Sequence, residues 1–123
     1  MISDIHVSGY FSSLSTQGCV LFDLDGTLVD TAADFEAVLQ VMCAEQDVKP
    51  PAFASIHSTV SSGARALISL AFGLEPGSGQ FESLLQQFLN IYAQQIESNR
   101  SVPYPGMSSL LHQLDSNAVP WGV

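Results

Sequence analysis

The sequence predicts an α/β fold: the start of a parallel sheet, with a set of helices inserted after the first strand. A short apolar run, Cys19–Phe22, lies between Gly18 and Asp23, which is the pattern of a buried parallel strand. Helical patterns follow, and a second short apolar run, Pro120–Val123, comes after them. A strand, helices and then a strand is the order of a crossover connection within a parallel sheet.

The helices are predicted from apolar residues that recur every three or four positions. In the first helix, Phe35, Val38, Leu39 and Met42 share one face, and the helix ends at Lys49–Pro51. Further helices are predicted at 53–57, 64–72, 81–97 and 107–114. The inward stripe of the helix at 81–97 comprises Phe81, Leu84, Leu85, Phe88, Leu89, Tyr92 and Ile96.

Composition limits the partners of this chain. Three basic residues, Lys49, Arg65 and Arg100, face twelve carboxylates, for a formal net charge of -9. Such a surface repels nucleic acid and anionic membranes, so neither is expected as a partner. An anionic substrate would have to be captured locally, by a metal ion or a few specific donors.

The two cysteines, Cys19 and Cys43, match no zinc pattern, and we expect both to be small buried residues of a cytoplasmic protein.

Two carboxylates follow the first predicted strand at a spacing of two residues. Side chains converge where a strand ends in a turn, so Asp23 and Asp25 should both reach the carboxyl edge of the sheet, where such sheets bind ligands. Gly26 allows close backbone approach, and N–H groups there can bind phosphate oxygens. One carboxylate can attack phosphorus while the other transfers protons. Their mutual repulsion requires a divalent cation, and Mg²⁺ suits oxygen ligands.

The segment Val20–Thr31 (VLFDLDGTLVDT) resembles the first motif of the haloacid dehalogenase (HAD) superfamily, in the form found in its phosphoglycolate phosphatase branch. The resemblance implies a HAD-like (Rossmann-like) core and a Mg²⁺-dependent phosphatase that hydrolyses phosphomonoesters through an aspartyl-phosphate. It implies that Asp23 is the nucleophile and a metal ligand. Asp25 would be the general acid/base and its backbone carbonyl would bind the metal, and Gly26 and Thr27 would form the phosphate loop.

The resemblance continues beyond the motif. Residues 32–102 resemble the four-helix cap domain of this branch, and residues 18–31 and 103–123 resemble a partial core. We expect residues 1–17 to be a loose leader. Within the cap, Val60–Leu67 (VSSGARAL) resembles the substrate-facing loop, which implies substrate contacts from Ser62, Gly63 and Arg65. The combination is similar to N-acetylmuramic acid 6-phosphate phosphatases. The implied substrate is a small carboxylated phosphate ester, either 2-phosphoglycolate or a muramic acid 6-phosphate.

Some alternatives stay open at this point. The guanidinium of Arg65 could bind a substrate carboxylate or be a solvated charge on a helix. Asp30 could be a helix N-cap or contact the site, Thr31 is a second candidate for the N-cap, and His57 is expected to be a structural or surface residue.

The chain ends before the positions of the family's Thr/Ser, Lys and acidic-pair motifs, so we expect a truncated fragment with little or no activity. The alternative function is a degenerate, non-catalytic HAD-like module that binds a partner through exposed apolar surface.

Overall fold

The structure, a computed structural model, describes residues 18–98 and 101–123. The predicted leader at 1–17 and Arg100 lie outside these residues. The strands are β1 (Val20–Leu21), β2 (Val29–Asp30), β3 (Val102–Pro103) and β4 (Trp121–Gly122). The α-helices are α1 (Ala32–Glu45), α2 (Phe53–Thr59), α3 (Gly63–Phe72), α4 (Gly79–Gln95) and α5 (Met107–Ser116), with one-turn 3-10 helices at Val60–Ser62 and Ile96–Ser98. No helix in the described part of the chain is both long and apolar enough to cross a membrane.

The predicted parallel pair is confirmed. β1 and β4 pair in parallel, with Val20 opposite Trp121 and Leu21 opposite Gly122. The N–H of Phe22 donates to the carbonyl of Gly122 at 2.9 Å, which continues the pairing beyond β1. Because β1 and β4 are separated by all the helices of the insertion, this pairing brings the end of the chain back beside the motif.

Burial of the first strand is only partial, and the expectation of a fully buried strand is wrong. Val20 and Phe22 pack against Leu114 and Val119, which brings α5 onto the two-stranded sheet. Leu21 is 78% exposed, and Cys19, which we expected to be buried, is exposed too. A sheet of two strands leaves the rest of its surface in solvent, since no second layer covers it among the described residues.

A second sheet, which the sequence did not predict, joins the two ends of the helical insertion. β2 and β3 pair antiparallel, with Val29 opposite Pro103 and Asp30 opposite Val102. Just beyond β3, the N–H of Tyr104 donates to the carbonyl of Leu28 at 3.1 Å. The chain therefore enters and leaves the insertion at neighbouring positions, directly after the motif loop.

The insertion has its own apolar core, built from α1 to α4. All four residues predicted for the inner face of α1 are buried, as are Phe81, Leu84 and Phe88 of α4. The prediction for α4 was too broad, because Leu89 and Ile96 are 44% and 57% exposed. Cys43 is fully buried, as expected, and this burial raises the pKa of its thiol.

Candidate active site

The loop after β1, which we call the motif loop (residues 23–28), folds back on a single carbonyl. The carbonyl of Leu24 accepts N–H groups from Thr27, Leu28 and Val29 at 3.3, 3.0 and 3.0 Å. The N–H of Gly26 donates to the carbonyl of Val29 at 3.0 Å. The side chain of Leu28 is 5% exposed and anchors the end of the loop. The loop is thus fixed by backbone hydrogen bonds and one apolar anchor.

The two predicted catalytic carboxylates lie at the carboxyl end of β1. Asp23 is exposed, and its Oδ1 accepts the N–H of Leu24 at 3.0 Å; Asp25 is half-buried. Among residues 18–98 and 101–123, no three His, Cys, Asp or Glu side chains come close enough to hold a metal ion. The carboxylate of Asp23 and the main-chain carbonyl of Asp25 are nevertheless oxygen donors of the kind that Mg²⁺ binds, and Mg²⁺ commonly keeps several water ligands besides.

The helical insertion contacts the motif loop at Gly26. This glycine has φ +75°, and a Cβ placed on it would lie 3.1 Å from the backbone nitrogen of Ser61 and 3.2 Å from its Cβ. Ser61 belongs to the 3-10 turn between α2 and α3. The sequence had indicated its neighbours Ser62 and Gly63, but the residue that the structure places against the loop is Ser61. Its position in the same Ser-Ser-Gly run was the only available signal.

Arg65, the third predicted substrate residue, is paired within the insertion. Its two terminal nitrogens donate to the two carboxylate oxygens of Glu82, each at 3.0 Å. Its guanidinium also lies 5.5 Å from the ring centroid of Phe81. This pair joins α3 to α4, and no contact in the described structure brings Arg65 to Asp23 or Asp25. A substrate role for Arg65 stays a prediction.

Asp30 contacts both the helix that follows it and the helical insertion. Its Oδ1 accepts the N–H of Ala32 at 3.3 Å. Within residues 18–98 and 101–123, Thr31 makes no capping hydrogen bond and its buried hydroxyl has no partner. The other oxygen, Oδ2, lies 3.9 Å from Nε2 of His57 on α2. Sequence reasoning did not identify this pair, because the two residues are far apart in the chain and neither belongs to a pattern that links them.

The fold and the motif loop define a family. The chain matches the family of haloacid dehalogenase-like hydrolases over residues 20–123, and it belongs to that family. It is 42% identical over 104 residues to an N-acetylmuramic acid 6-phosphate phosphatase of Pseudomonas aeruginosa, which covers 85% of this chain and 46% of the relative. A phosphatase of the same name from Pseudomonas putida is 38% identical over 104 residues, with the same two coverages.

Other relatives carry a different name. A phosphoglycolate phosphatase of Caulobacter vibrioides is 37% identical over 98 residues, covering 77% of this chain and 41% of the relative. The crystal structure of a predicted phosphoglycolate phosphatase from Haemophilus somnus superposes with a TM-score of 0.66 at 22% identity, covering 84% of this chain and 48% of that one. The structural match supports the fold. The chain spans about half the length of the curated relatives that it matches.

Proposed function

We propose that the chain supplies the motif loop and the cap of a Mg²⁺-dependent phosphomonoesterase that works through an aspartyl-phosphate. The observation that supports this most is the placement of Asp23 and Asp25 at the carboxyl end of β1, in a loop that the helical insertion contacts at Gly26 through Ser61. The proposed enzyme is cytoplasmic, which agrees with two free cysteines, and its charge of -9 makes nucleic acid or membrane an unsuitable partner.

In the proposed reaction, a carboxylate oxygen of Asp23 attacks phosphorus and the bond to the leaving oxygen breaks. Asp25 gives its proton to that oxygen. In the second step Asp25 takes a proton from water, whose oxygen bonds to phosphorus as the bond to Asp23 breaks, and inorganic phosphate leaves. The carboxylate of Asp23, the backbone carbonyl of Asp25 and water would hold Mg²⁺, which would neutralise the charge of phosphate beside two carboxylates. Gly26 and Thr27 form the proposed phosphate loop. Because their backbone N–H groups donate to the carbonyls of Val29 and Leu24, the exposed hydroxyl of Thr27 is the donor that we propose for the phosphate oxygens.

The proposed substrate is a small carboxylated phosphate ester, either 2-phosphoglycolate or N-acetylmuramic acid 6-phosphate. Both names occur among the relatives. The cap residues Ser62, Gly63 and Arg65 are the proposed contacts to the part of the substrate beyond the phosphate.

We further propose that the 123-residue chain alone turns over little or no substrate. The structure describes two basic residues, Lys49 and Arg65, and both lie in the helical insertion. Neither therefore supplies a positive charge from the core to bind the phosphate.

A chimera tests this proposal directly. Residues 20–123 would replace the matching segment of the Pseudomonas aeruginosa relative, and turnover of both candidate substrates would be measured with and without Mg²⁺. We expect Mg²⁺-dependent release of phosphate from the chimera, and background release from its Asp23→Asn variant. A folded chimera that keeps its activity with Asn at this position would refute the assignment of the nucleophile.

The same chimera separates the two interpretations of Arg65. If Arg65 binds the substrate carboxylate, Arg65→Ala raises KM for a carboxylated ester and leaves KM for p-nitrophenyl phosphate unchanged. Glu82→Ala, which frees the guanidinium, then leaves KM for the carboxylated ester unchanged or lowers it. If the pair is only structural, the two substitutions have similar effects on both substrates.

A second candidate function is a non-catalytic module that binds another protein. It is favoured by the exposure of Leu21 and Trp121, 78% and 36%, on the two paired strands. A chimera that folds with native helix content but is inactive with both substrates would favour this alternative over the enzyme.

A further inference from the structure

One face of the insertion contacts the core at two points. α2 is followed without a gap by the 3-10 turn Val60–Ser62, and His57 and Ser61 are four residues apart in this helical segment. Side chains four residues apart lie on the same face of a helix. His57 Nε2 lies 3.9 Å from Oδ2 of Asp30, and Ser61 lies against Gly26. The segment therefore contacts both ends of the stretch Gly26–Asp30.

The carboxylate of Asp30 is held in a position from which it can pair with the imidazole of His57. It lies on β2, whose pairing with β3 fixes the base of the insertion. Its Oδ1 is engaged by the N–H of Ala32 at 3.3 Å, which orients the carboxylate so that Oδ2 meets the imidazole. This contact is an ion pair only when the imidazole is protonated. The side chains of His57 and Asp30 are 46% and 37% exposed, so their attraction is then screened by water. A contact of this kind is weak enough to open and re-form.

We propose that His57 and Asp30 form a latch that holds the segment from α2 to Ser61 against the motif loop, and thereby sets the closed position of the insertion over Asp23 and Asp25. His57 is a positioning residue in this proposal, since it acts through Ser61 and does not touch the reacting atoms. The latch rests on the proposed function for its purpose, because closing over the two carboxylates matters only if phosphate is bound there.

Hydrogen exchange followed by mass spectrometry on the 123-residue chain tests the latch without measuring turnover. At a pH that protonates the imidazole, we expect His57→Ala to speed exchange in peptides covering residues 58–63 by roughly 1.4- to 5-fold, the range that an exposed ion pair supports. Alanine is a better helix former than histidine, so a purely local effect on α2 would slow exchange instead. Unchanged or slower exchange in His57→Ala would overturn the latch.

Three further variants complete the experiment. Asp30→Asn keeps an oxygen that can accept the N–H of Ala32 and removes the charge, and it should match His57→Ala. The double variant should exchange no faster than either single one; additive effects would show that the two residues act separately and would overturn the pairing. His112→Ala, a matched control at an exposed position of α5, should leave exchange in residues 58–63 unchanged.

The result is independent of the chimera experiment. Coupled exchange effects with an inactive chimera would retain the latch as a structural device and reject the proposed function. An active chimera with no exchange effect would support the proposed function and reject the latch.

Discussion

Substituting Gly26 by alanine probes the contact between the motif loop and the insertion. The new methyl group would lie 3.1 Å from the backbone nitrogen, 3.2 Å from the Cβ and 3.3 Å from the Cα of Ser61. Because two of these atoms belong to the backbone, no side-chain rotation can relieve the crowding. The residue also has φ +75°, a conformation that is unfavourable for any residue with a Cβ.

The expected loss of stability has two parts. The left-handed conformation costs roughly 1–2 kcal/mol for alanine. Overpacking against Ser61 adds about 1–3 kcal/mol, the range for an extra methyl group forced into a packed contact. We therefore expect Gly26→Ala to lower the free energy of unfolding by roughly 2–5 kcal/mol.

Gly73→Ala is the matched control. Gly73 ends α3 with φ +66°, and a Cβ there would have no atom within 4 Å, so this variant measures the backbone strain alone. Urea unfolding followed by circular dichroism would compare the two variants with the parent chain. Equal destabilisation of both would refute the reasoning, because it would mean that Ser61 does not crowd Gly26. Adding Ser61→Gly to Gly26→Ala removes one of the three close atoms and should restore part of the loss.

Three other predictions concern the helical insertion and the cysteines. Iodoacetamide should label Cys19 in the folded chain, and label Cys43 only after unfolding, because Cys43 is buried and its thiol pKa is raised; mass spectrometry counts the adducts. Met42→Ala should lower the free energy of unfolding by about 2–5 kcal/mol, since it opens a cavity at a fully buried position. Arg65→Ala and Glu82→Gln should each cost about 0.5–1 kcal/mol, and the double variant no more than either, as a double-mutant cycle would measure.

Local patterns predicted the elements that depend on neighbours in the chain. The inner face of α1 follows from a helical period of apolar residues, and it is buried as predicted. The parallel pairing of β1 with β4 follows from two apolar runs separated by helices. The position of Asp23 and Asp25 at the end of β1 follows from the place of the motif directly after the first run.

Burial was predicted less well, because it depends on what covers an element. The apolar run at Cys19–Phe22 predicts a buried strand whether or not a second layer packs on it. Only the structure shows that Leu21 is exposed to solvent. The apolar stripe predicted at 81–97 extends to Leu89 on α4 and to Ile96 in the 3-10 turn after it, but Phe35 of α1 packs on Phe88 and Tyr92 only.

The motif, the family that it indicates and the existence of a helical insertion were determined by the sequence alone, because each depends on residues close together in the chain. Only the tertiary structure decided which residues of the insertion contact the loop. Three contacts join residues that lie far apart in sequence: Ser61 with Gly26, His57 with Asp30, and Arg65 with Glu82. Such contacts depend on how the helices pack, and no local period or spacing encodes that packing.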